Sequence, residues 1–299
     1  MWIVLCLLSA LTSGLASIIM KKCSKNNNAK SIALIGLLIS HILYVIVSIL
    51  FTDVLTTFNI KSFVQIAPLT ICQMIGYICG ILSVKYASVS TVIPIRKCNT
   101  IVTLILGIII LNESIPILKL IISLILVCLT IFIVKEDKIS DDKDSKKGII
   151  FAWLFVIFNG ISSMLNKYYI NIFINPLVVT FYYSLCGIFI VLLYCLFTKS
   201  WKYYNLKNIN KSYFLFTYIL FDFVSNLSYR FCLVDGPVSL AQPIHSSSII
   251  ITIIGSYFIL KEKISKKKWL MIAGVIVCVI FSQKKKINHF WLIFISSVL

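Results

Sequence analysis

Two stretches of similar sequence decide the fold: "VSTVIPIRKCNTIVTLILGIIILNESIPILK" (residues 89–119) and "VSLAQPIHSSSIIITIIGSYFILKEKISKKK" (residues 238–268). They align without a gap at an offset of 149 residues, and 12 of the 31 positions are identical. Each stretch has a proline at its sixth position, Pro94 and Pro243. Similarity of this length and order indicates that part of the chain is duplicated.

A second match extends the duplication towards the beginning of the chain. The segment "SGLASIIMK" (residues 13–21) matches "NGISSMLNK" (residues 159–167) at an offset of 146, which pairs Gly14 with Gly160. The two matches occur in the same order in both parts of the chain. We therefore interpret the protein as two copies of one unit.

The composition is that of a membrane protein. Hydrophobic residues make up 60% of the 299 residues and charged residues 13%, with a mean hydropathy of +1.00. Such values lie outside the range of soluble domains. Apolar runs of about 20 residues, enough to cross a hydrocarbon layer of about 30 Å as a helix, recur along the whole chain. The runs lack the alternation of a barrel strand, so we predict an all-α polytopic membrane protein. The ten predicted spans are 2–20, 31–51, 64–84, 92–111, 117–134, 149–166, 177–197, 213–233, 241–260 and 269–283.

Each copy holds five predicted spans, which is an odd number. The second copy must therefore enter the membrane from the opposite side, and this predicts two inverted five-helix repeats with a site near the midplane between them. The predicted units are a first repeat (1–134), a charged cytoplasmic linker (135–148), a second repeat (149–283) and a basic and apolar tail (284–299).

The basic residues predict the orientation. The loops after the odd-numbered spans carry 4, 1, 5, 4 and 5 Lys or Arg residues, whereas the loops after the even-numbered spans carry one each. By the positive-inside rule the odd loops are cytoplasmic and both termini lie outside a multi-pass cytoplasmic membrane protein. The net charge of +18 is then explained by loops that face anionic lipid, and nucleic acid is not expected as a partner.

Polar side chains recur at helical spacing inside several spans. In the third span Gln73 and Tyr77 are four residues apart, and Asp222 and Asn226 repeat this spacing at the aligned positions of the eighth. Residues four apart share one face of a helix, and polar faces in a membrane must meet each other or water. We therefore predict a substrate cavity lined by Gln73, Tyr77, Arg96, Asn99, Asn159, Asp222, Asn226, His245 and Ser248.

Two of these residues are charged and lie in apolar runs. Asp222 allows three interpretations: a buried pair with Arg96 or Arg230, a ligand for the cationic group of a substrate, or a proton-coupling site. Arg96 shares its helical face with Asn99, and we expect it in the cavity. Its neighbour Lys97 lies about 100° around the helix and is expected to anchor the span at the membrane interface.

Other polar positions are interpreted as structural. His41 has no polar repeat mate and is expected to be a hydrogen-bonded histidine of the interior. Pro94 and Pro243 suit the first turn of a helix, where no backbone hydrogen bond is lost. Glu113 and Glu262 lie in turns just before the fifth and tenth spans, where a carboxylate can cap the next helix.

At these positions the sequence resembles the drug/metabolite transporter superfamily, in particular its ten-helix, EamA-type members. The resemblance rests on the five-plus-five layout and on a proline followed by "L-x-E" at the end of the fourth span of each half. Pro94 leads to "LNE" (111–113), and Pro243 leads to "LKE" (260–262). The resemblance implies a secondary transporter with a central cavity between inverted halves, often an exporter of amino acids or other small metabolites.

No catalytic, metal-binding or cofactor motif is found. The sequence lacks the phosphate-binding motif G-x-x-x-x-G-K-[ST] and H-E-x-x-H, and its ten cysteines form neither C-x-x-C nor a Cys/His cluster. We therefore expect no enzyme activity, no catalytic residue, no metal and no cofactor.

The predicted function is efflux of a small polar metabolite by alternating access, driven by a proton or solute gradient. Arg96 and Asp222 together would suit a zwitterion such as an amino acid. The alternatives are a cation, drug or lipid-linked sugar translocator of the same superfamily and, from other classes, a channel or a membrane enzyme. The partners are the small-molecule substrate and lipid. The apolar fifth and tenth spans can face lipid or a second protomer, so a monomer and a homodimer are both open.

Overall fold

The computed structural model describes residues 1–25, 27–56, 58–113, 143–200 and 211–261, together with residues 117, 121, 122, 125, 128, 129, 203, 209, 267, 269, 270, 273, 274 and 277. The long elements in this part of the chain are all helices. They are α1 (Trp2–Lys25), α2 (Ala29–Phe51), α3 (Ile60–Gln65), α4 (Ala67–Tyr86), α5 (Val89–Lys97), α6 (Asn99–Leu111), α7 (Lys143–Phe173), α8 (Pro176–Thr198), α9 (Ser212–Asp235), α10 (Val238–Ser246) and α11 (Ser248–Ile259).

Short polar signals set the helix ends. Asn28 and Asn175 precede α2 and α8, and each side chain accepts a hydrogen bond of 2.9 Å from the backbone N–H two residues later. At the other end, α6 stops at Asn112, which has a left-handed backbone with φ of 51°. Its repeat mate Lys261 has φ of 57°, so both copies of the turn reverse direction in the same way.

Seven helical segments within the described residues are long and apolar enough to cross a membrane. They are α1, α2, α4, α5 with α6, α7, α8, and α10 with α11. The long helix α9 is not among them, because Asp222, Asn226 and Arg230 interrupt its apolar residues. The fold is therefore that of a helical multi-pass membrane protein. The predicted fifth and tenth spans, Glu262 and the tail 284–299 lie largely or wholly outside the described residues.

The predicted fourth and ninth spans are each broken into two helices. The breaks fall at the repeat mates Cys98 and Ser247, where the backbone N–H groups bond to oxygens three residues back. Pro243 is the sixth residue of α10, so the prediction that it lies in the first turn is wrong, and residue 94 holds the same place in α5. A proline inside a helix removes one backbone hydrogen bond, which explains a break so close by.

The first residues of α7 correct the predicted linker. The helix starts at Lys143, so residues 143–148 are helical and only the preceding part of 135–148 can act as a connection. Gly148 packs on the end of α4, where a Cβ would lie 2.7 Å from the Cβ of Ala87. This close approach ties the start of the second half to the first half.

The two halves pack by exchanging partners. The first helix α1 packs along α9 of the second half, and its repeat mate α7 packs along α4 of the first half. The pairs α6 with α7 and α1 with α11 are related in the same way, and α2 packs against its own mate α8. This reciprocity is what an approximate two-fold axis between the halves produces.

The same relation holds for individual atoms where helices cross. The Thr103 hydroxyl donates to the Gly160 carbonyl oxygen at 3.2 Å, and its mate, the Thr252 hydroxyl, donates to the Gly14 carbonyl oxygen at 3.3 Å. A Cβ on Gly160 would lie 2.5 Å from a side-chain carbon of α6, and one on Gly14 would lie 2.8 Å from a side-chain carbon of α11. Glycine at both positions lets the backbones approach closely.

A pair of lysines caps helices, one within each half. Lys21 of α1 donates to the carbonyl oxygens of Val84 and Ala87 at the end of α4, at 2.5 and 2.7 Å. Lys167 of α7 donates to the Leu233 oxygen at the end of α9, at 2.7 Å. A cation at a helix C-terminus bonds orphan carbonyls and complements the helix dipole.

Apolar side chains pack at both ends of the bundle and cover its outside. One buried cluster includes Cys23 and Val84, near the ends of α1 and α4, and another includes Cys6 and Leu233, near the opposite ends. Large apolar side chains such as Phe197 are exposed on the exterior, as expected for contact with lipid. The polar residues are left between the two clusters.

Candidate functional site

A polar cavity of about 120 Å³ lies between the halves, at the middle of the helices. Eight of the nine predicted cavity residues line it: Gln73, Tyr77, Arg96, Asn99, Asn159, Asp222, Asn226 and His245. The helical spacing of polar residues thus identified side chains that the fold brings together.

Ser248 is the predicted residue that does not line the cavity. It is fully buried at the crossing of α11 and α1, where its carbonyl oxygen would lie 2.9 Å from a Cβ on Gly14. His245 lies near the end of α10, whereas Ser248 is the first residue of α11, after the break at Ser247. The prediction for Ser248 is therefore wrong.

Arg96 presents unused donors to the cavity. Its guanidinium lies 4.1 Å from the centre of the Phe155 ring, and the absence of a side chain at Gly80 makes room for Nη2. Its Nε and Nη1 atoms are buried, and neither has a hydrogen-bond acceptor among the described residues. Because an unsatisfied buried donor is costly, these atoms are candidates for binding a ligand.

Asp222 faces the same cavity without a cationic partner. Its carboxylate accepts a hydrogen bond of 3.0 Å from the Asn226 amide. No nitrogen of Lys, Arg or His in the described parts of the chain lies within the 4.0 Å ion-pair limit of Asp222. The interpretation of Asp222 as a buried pair with Arg96 or Arg230 is therefore wrong.

Arg230 has a structural role behind the cavity. It is fully buried and donates to Asn166, Thr180 and Gln73 side-chain oxygens at 3.0, 2.9 and 3.3 Å. Its guanidinium also lies 4.2 Å from the centre of the Tyr183 ring. These contacts use its donors and fix the position of Gln73 in the cavity wall.

Polar contacts close the wall between the halves. The Asn99 amide of the first half donates to the Asn159 side-chain oxygen of the second at 2.5 Å, and the Thr100 and Ser246 hydroxyls lie 2.7 Å apart. His245 also bridges the halves, since its Nδ1 lies 3.0 Å from the Ser9 hydroxyl. The cavity is thus built jointly by both copies of the repeat.

Lys97 and His41 line the cavity although neither was predicted to do so. Lys97 was expected at the membrane interface, but it lines the cavity beside Arg96, one residue before the break at Cys98. His41 was expected to be hydrogen-bonded, yet neither ring nitrogen has a partner among the described residues. It packs against its own repeat mate, Gly187, where a Cβ would overlap the ring.

Aromatic residues missed by the sequence analysis complete the lining. They are Tyr44, Phe155, Tyr183 and Tyr218. Tyrosine is common in apolar spans and has no distinctive spacing here, so the sequence offered no signal for them.

Glu113 joins the halves at one end of the bundle. Its two carboxylate oxygens accept hydrogen bonds of 2.9 and 3.0 Å from the backbone N–H groups of Val238 and Ser239. It therefore caps α10 of the other half, whereas the sequence analysis assigned its cap to the following span. A carboxylate at a helix N-terminus satisfies orphan donors and favours the dipole.

A helical multi-pass membrane protein with a polar cavity between two repeats has an architecture that is common among membrane transporters. The family model of the EamA-like transporter family matches residues 1–135 and 146–283. The chain belongs to this family of membrane transporters, which is part of the drug/metabolite transporter superfamily.

Solved structures show a similar fold. One chain, described only as "Crystal structure of protein", superposes with a TM-score of 0.65 at 10% sequence identity. The superposition covers 92% of this chain and 96% of the other. Among curated proteins, no significant sequence match is found.

Proposed function

We propose that this protein is a secondary carrier that exports a small zwitterionic metabolite, of the amino-acid class, across the cytoplasmic membrane. The observation that carries the proposal is that Arg96 and Asp222 face one cavity and do not pair with each other. A ligand with a carboxylate and an ammonium group would satisfy both.

The size and charge of the cavity support this substrate class. Its volume is about 120 Å³, and a cavity of about 150 Å³ accommodates a ligand as large as benzene. A small amino acid fits such a space, whereas a bulky drug or a lipid-linked sugar requires it to widen. The cations Arg96 and Lys97 also disfavour a purely cationic substrate.

Transport proceeds by alternating access of ten spans arranged as two inverted repeats. The reciprocal packing of the halves supports this arrangement. The contact of Glu113 with α10 holds one end closed, and opening that end separates the halves there. A proton or solute gradient drives the cycle, with Asp222 and His245 among the titratable groups of the cavity. The working unit is a monomer or a homodimer.

Transport assays of charge variants test the proposal. We expect Arg96→Gln and Asp222→Asn to lower uptake of labelled small amino acids into proteoliposomes by roughly 10- to 150-fold, the equivalent of a charged hydrogen bond of about 1.5–3 kcal/mol. An amine without a carboxylate should be insensitive to Arg96→Gln.

Matched controls remove charges outside the cavity. Asp235→Asn neutralises an exposed acid on the same helix as Asp222, and Lys61→Gln neutralises an exposed cation on α3. Both should transport as the unaltered protein does, and all variants should elute as single species in size-exclusion chromatography. Full transport by Arg96→Gln and Asp222→Asn would refute the proposal.

A further inference from the structure

A second, larger cavity opens on the side of the first half. It has a volume of about 350 Å³ and lies between α2, α4 and α8. Its walls are apolar, with Leu34, Met74, Ile78 and Ile190 among them. Ile78 is exposed on the exterior of the bundle, so the cavity opens towards the surrounding membrane. We call it the lateral pocket.

Among the described residues that line the lateral pocket, one is a cation, and it lies at one end. Lys30, in the first turn of α2, lines it, and its Nζ lies 5.3 and 4.7 Å from the ring centres of Tyr194 and Tyr203. The adjacent helix ends are also basic, with Lys25 at the end of α1 and Lys85 at the end of α4. An apolar slot that ends in a basic, aromatic rim has the chemistry of a site for an anionic amphiphile.

The repeat supplies an internal comparison. The mates of Leu37, Met74 and Ile190 are Tyr183, Phe223 and Tyr44. At the symmetry-related place, between α8, α9 and α2, the Tyr44 ring lies 4.7 Å from that of Phe223 and 6.3 Å from that of Tyr183, so these aromatic side chains pack on one another. The mate of Lys30 is Pro176, which has no charge. The mate residues thus differ in packing and in charge, so the pocket and its cation are not a general result of the repeat packing.

We propose that the lateral pocket binds one anionic phospholipid from the leaflet next to the basic loops. An acyl chain fills the apolar slot, and the phosphate lies at Lys30. A soluble ligand would need several converging polar groups, whereas the lining offers little besides one ammonium and one phenol. This site does not depend on the identity of the transported substrate.

Leu37 gives the lipid site a position next to the transport path. Its side chain lines both the lateral pocket and the central cavity, and it packs with Met74 and Val191 in a small buried cluster. A bound acyl chain therefore lies one side chain away from the central cavity.

Native mass spectrometry of the purified full-length protein tests the proposal. The protein is titrated with phosphatidylglycerol and with phosphatidylcholine of the same acyl chains, and retained lipid is counted. We expect one tightly retained phosphatidylglycerol. Lys30→Gln should weaken this binding about five-fold and remove the preference for phosphatidylglycerol. The control Lys61→Gln removes the same charge from an exposed position on α3, outside the rim, and should leave both unchanged.

A second pair of variants tests the slot. Met74→Phe with Leu82→Phe introduces the residues found at the mates, Phe223 and Phe231, and should abolish retention of both lipids. Ile105→Phe with Ile109→Phe adds the same bulk on the exposed face of α6 and should retain phosphatidylglycerol normally. Equal retention by all variants would overturn the proposal. If the unaltered protein gave a dimer peak in the mass spectrum and Met74→Phe with Leu82→Phe removed it, the proposal would also be overturned. The occupant of the pocket would then be a second copy of the chain.

Discussion

At the scale of single residues, the closest contacts of the fold depend on glycine. Gly160 of α7 crosses α6 where a Cβ would lie 2.5 Å from the Cβ of Val102 and 3.2 Å from the carbonyl oxygen of Asn99. Gly76 of α4 also faces another helix, but there a Cβ would lie 3.5 Å from its nearest neighbour. The first position has no room for a methyl group, and the second has ordinary contact distance.

This difference predicts opposite effects of one substitution. Gly160→Ala should destabilise the protein by about 1–3 kcal/mol, because the helices must move apart. Gly76→Ala should be neutral or slightly stabilising, since alanine favours the helix by up to about 1 kcal/mol. Thermal unfolding of the purified variants in the same detergent measures both. Equal melting temperatures for the two variants would contradict the close packing at Gly160.

Part of the site could be predicted from single residues and part could not. Asp222 and Arg96 stand out because charge in an apolar run is rare, and both line the cavity. The predictions for Lys97 and Ser248 rested on helical spacing in continuous helices. Each of these residues lies next to a break, at Cys98 and Ser247. The repeat mate of His41 is Gly187, which is not polar, so the repeat gave no signal for His41. Its place in the cavity depends on its contact with Gly187, and only the three-dimensional structure reveals that contact.

At the scale of helices, the ends are stabilised by side chains of other helices, from the same half or from the other. Glu113, just after α6, caps the start of α10 through two backbone N–H groups, and Lys167 of α7 caps the end of α9. Helix termini in lipid have no water to satisfy their backbone groups, so such caps matter more than in a soluble protein. If this end of the bundle opens, the hydrogen bonds between Glu113 and the start of α10 must break.

The cap at α10 predicts graded losses of stability. Glu113→Ala removes both acceptors and the charge at the helix N-terminus, and should cost about 1–2 kcal/mol. Glu113→Gln keeps one acceptor and should cost less. Thermal unfolding provides the measurement, and Asp235→Ala, which removes an exposed acid at the end of α9, serves as control. A loss for Asp235→Ala as large as that for Glu113→Ala would point to a general charge effect instead of a cap.

The helices themselves were largely predictable, but their breaks were not. The stretches across Cys98 and Ser247 are apolar enough on average to read as single spans, so hydropathy does not separate the two short helices of each pair. Pro94 and Pro243 were assigned to a first helical turn because the predicted spans started at residues 92 and 241. The helices begin at Val89 and Val238, three residues earlier. Only the hydrogen-bond pattern of the backbone separates a proline in a first turn from one before a break.

At the scale of the whole molecule, the distribution of basic residues predicts how the protein sits in the membrane. The segment between α2 and α4 contains Lys61, and the end of α1 contains Lys25. In intact cells, Lys61→Cys should react with a membrane-impermeant maleimide and Lys25→Cys should not, whereas both should react after permeabilisation. The opposite pattern would reverse the orientation and place both termini in the cytoplasm.

The duplication was visible in the sequence, but the exchange of partners between the halves was not. Repeats in sequence are compatible with two independent bundles as well as with one shared bundle. Because α1 packs on α9 and α7 packs on α4, the two halves form one shared bundle.

That exchange has a consequence for a single copy of the repeat. Expressed alone, such a copy would lack the helix on which its first helix, α1 or α7, packs here. It could bury that helix face only against a second copy of itself. One polypeptide that carries both copies lets them differ, as Lys30 and its mate Pro176 do.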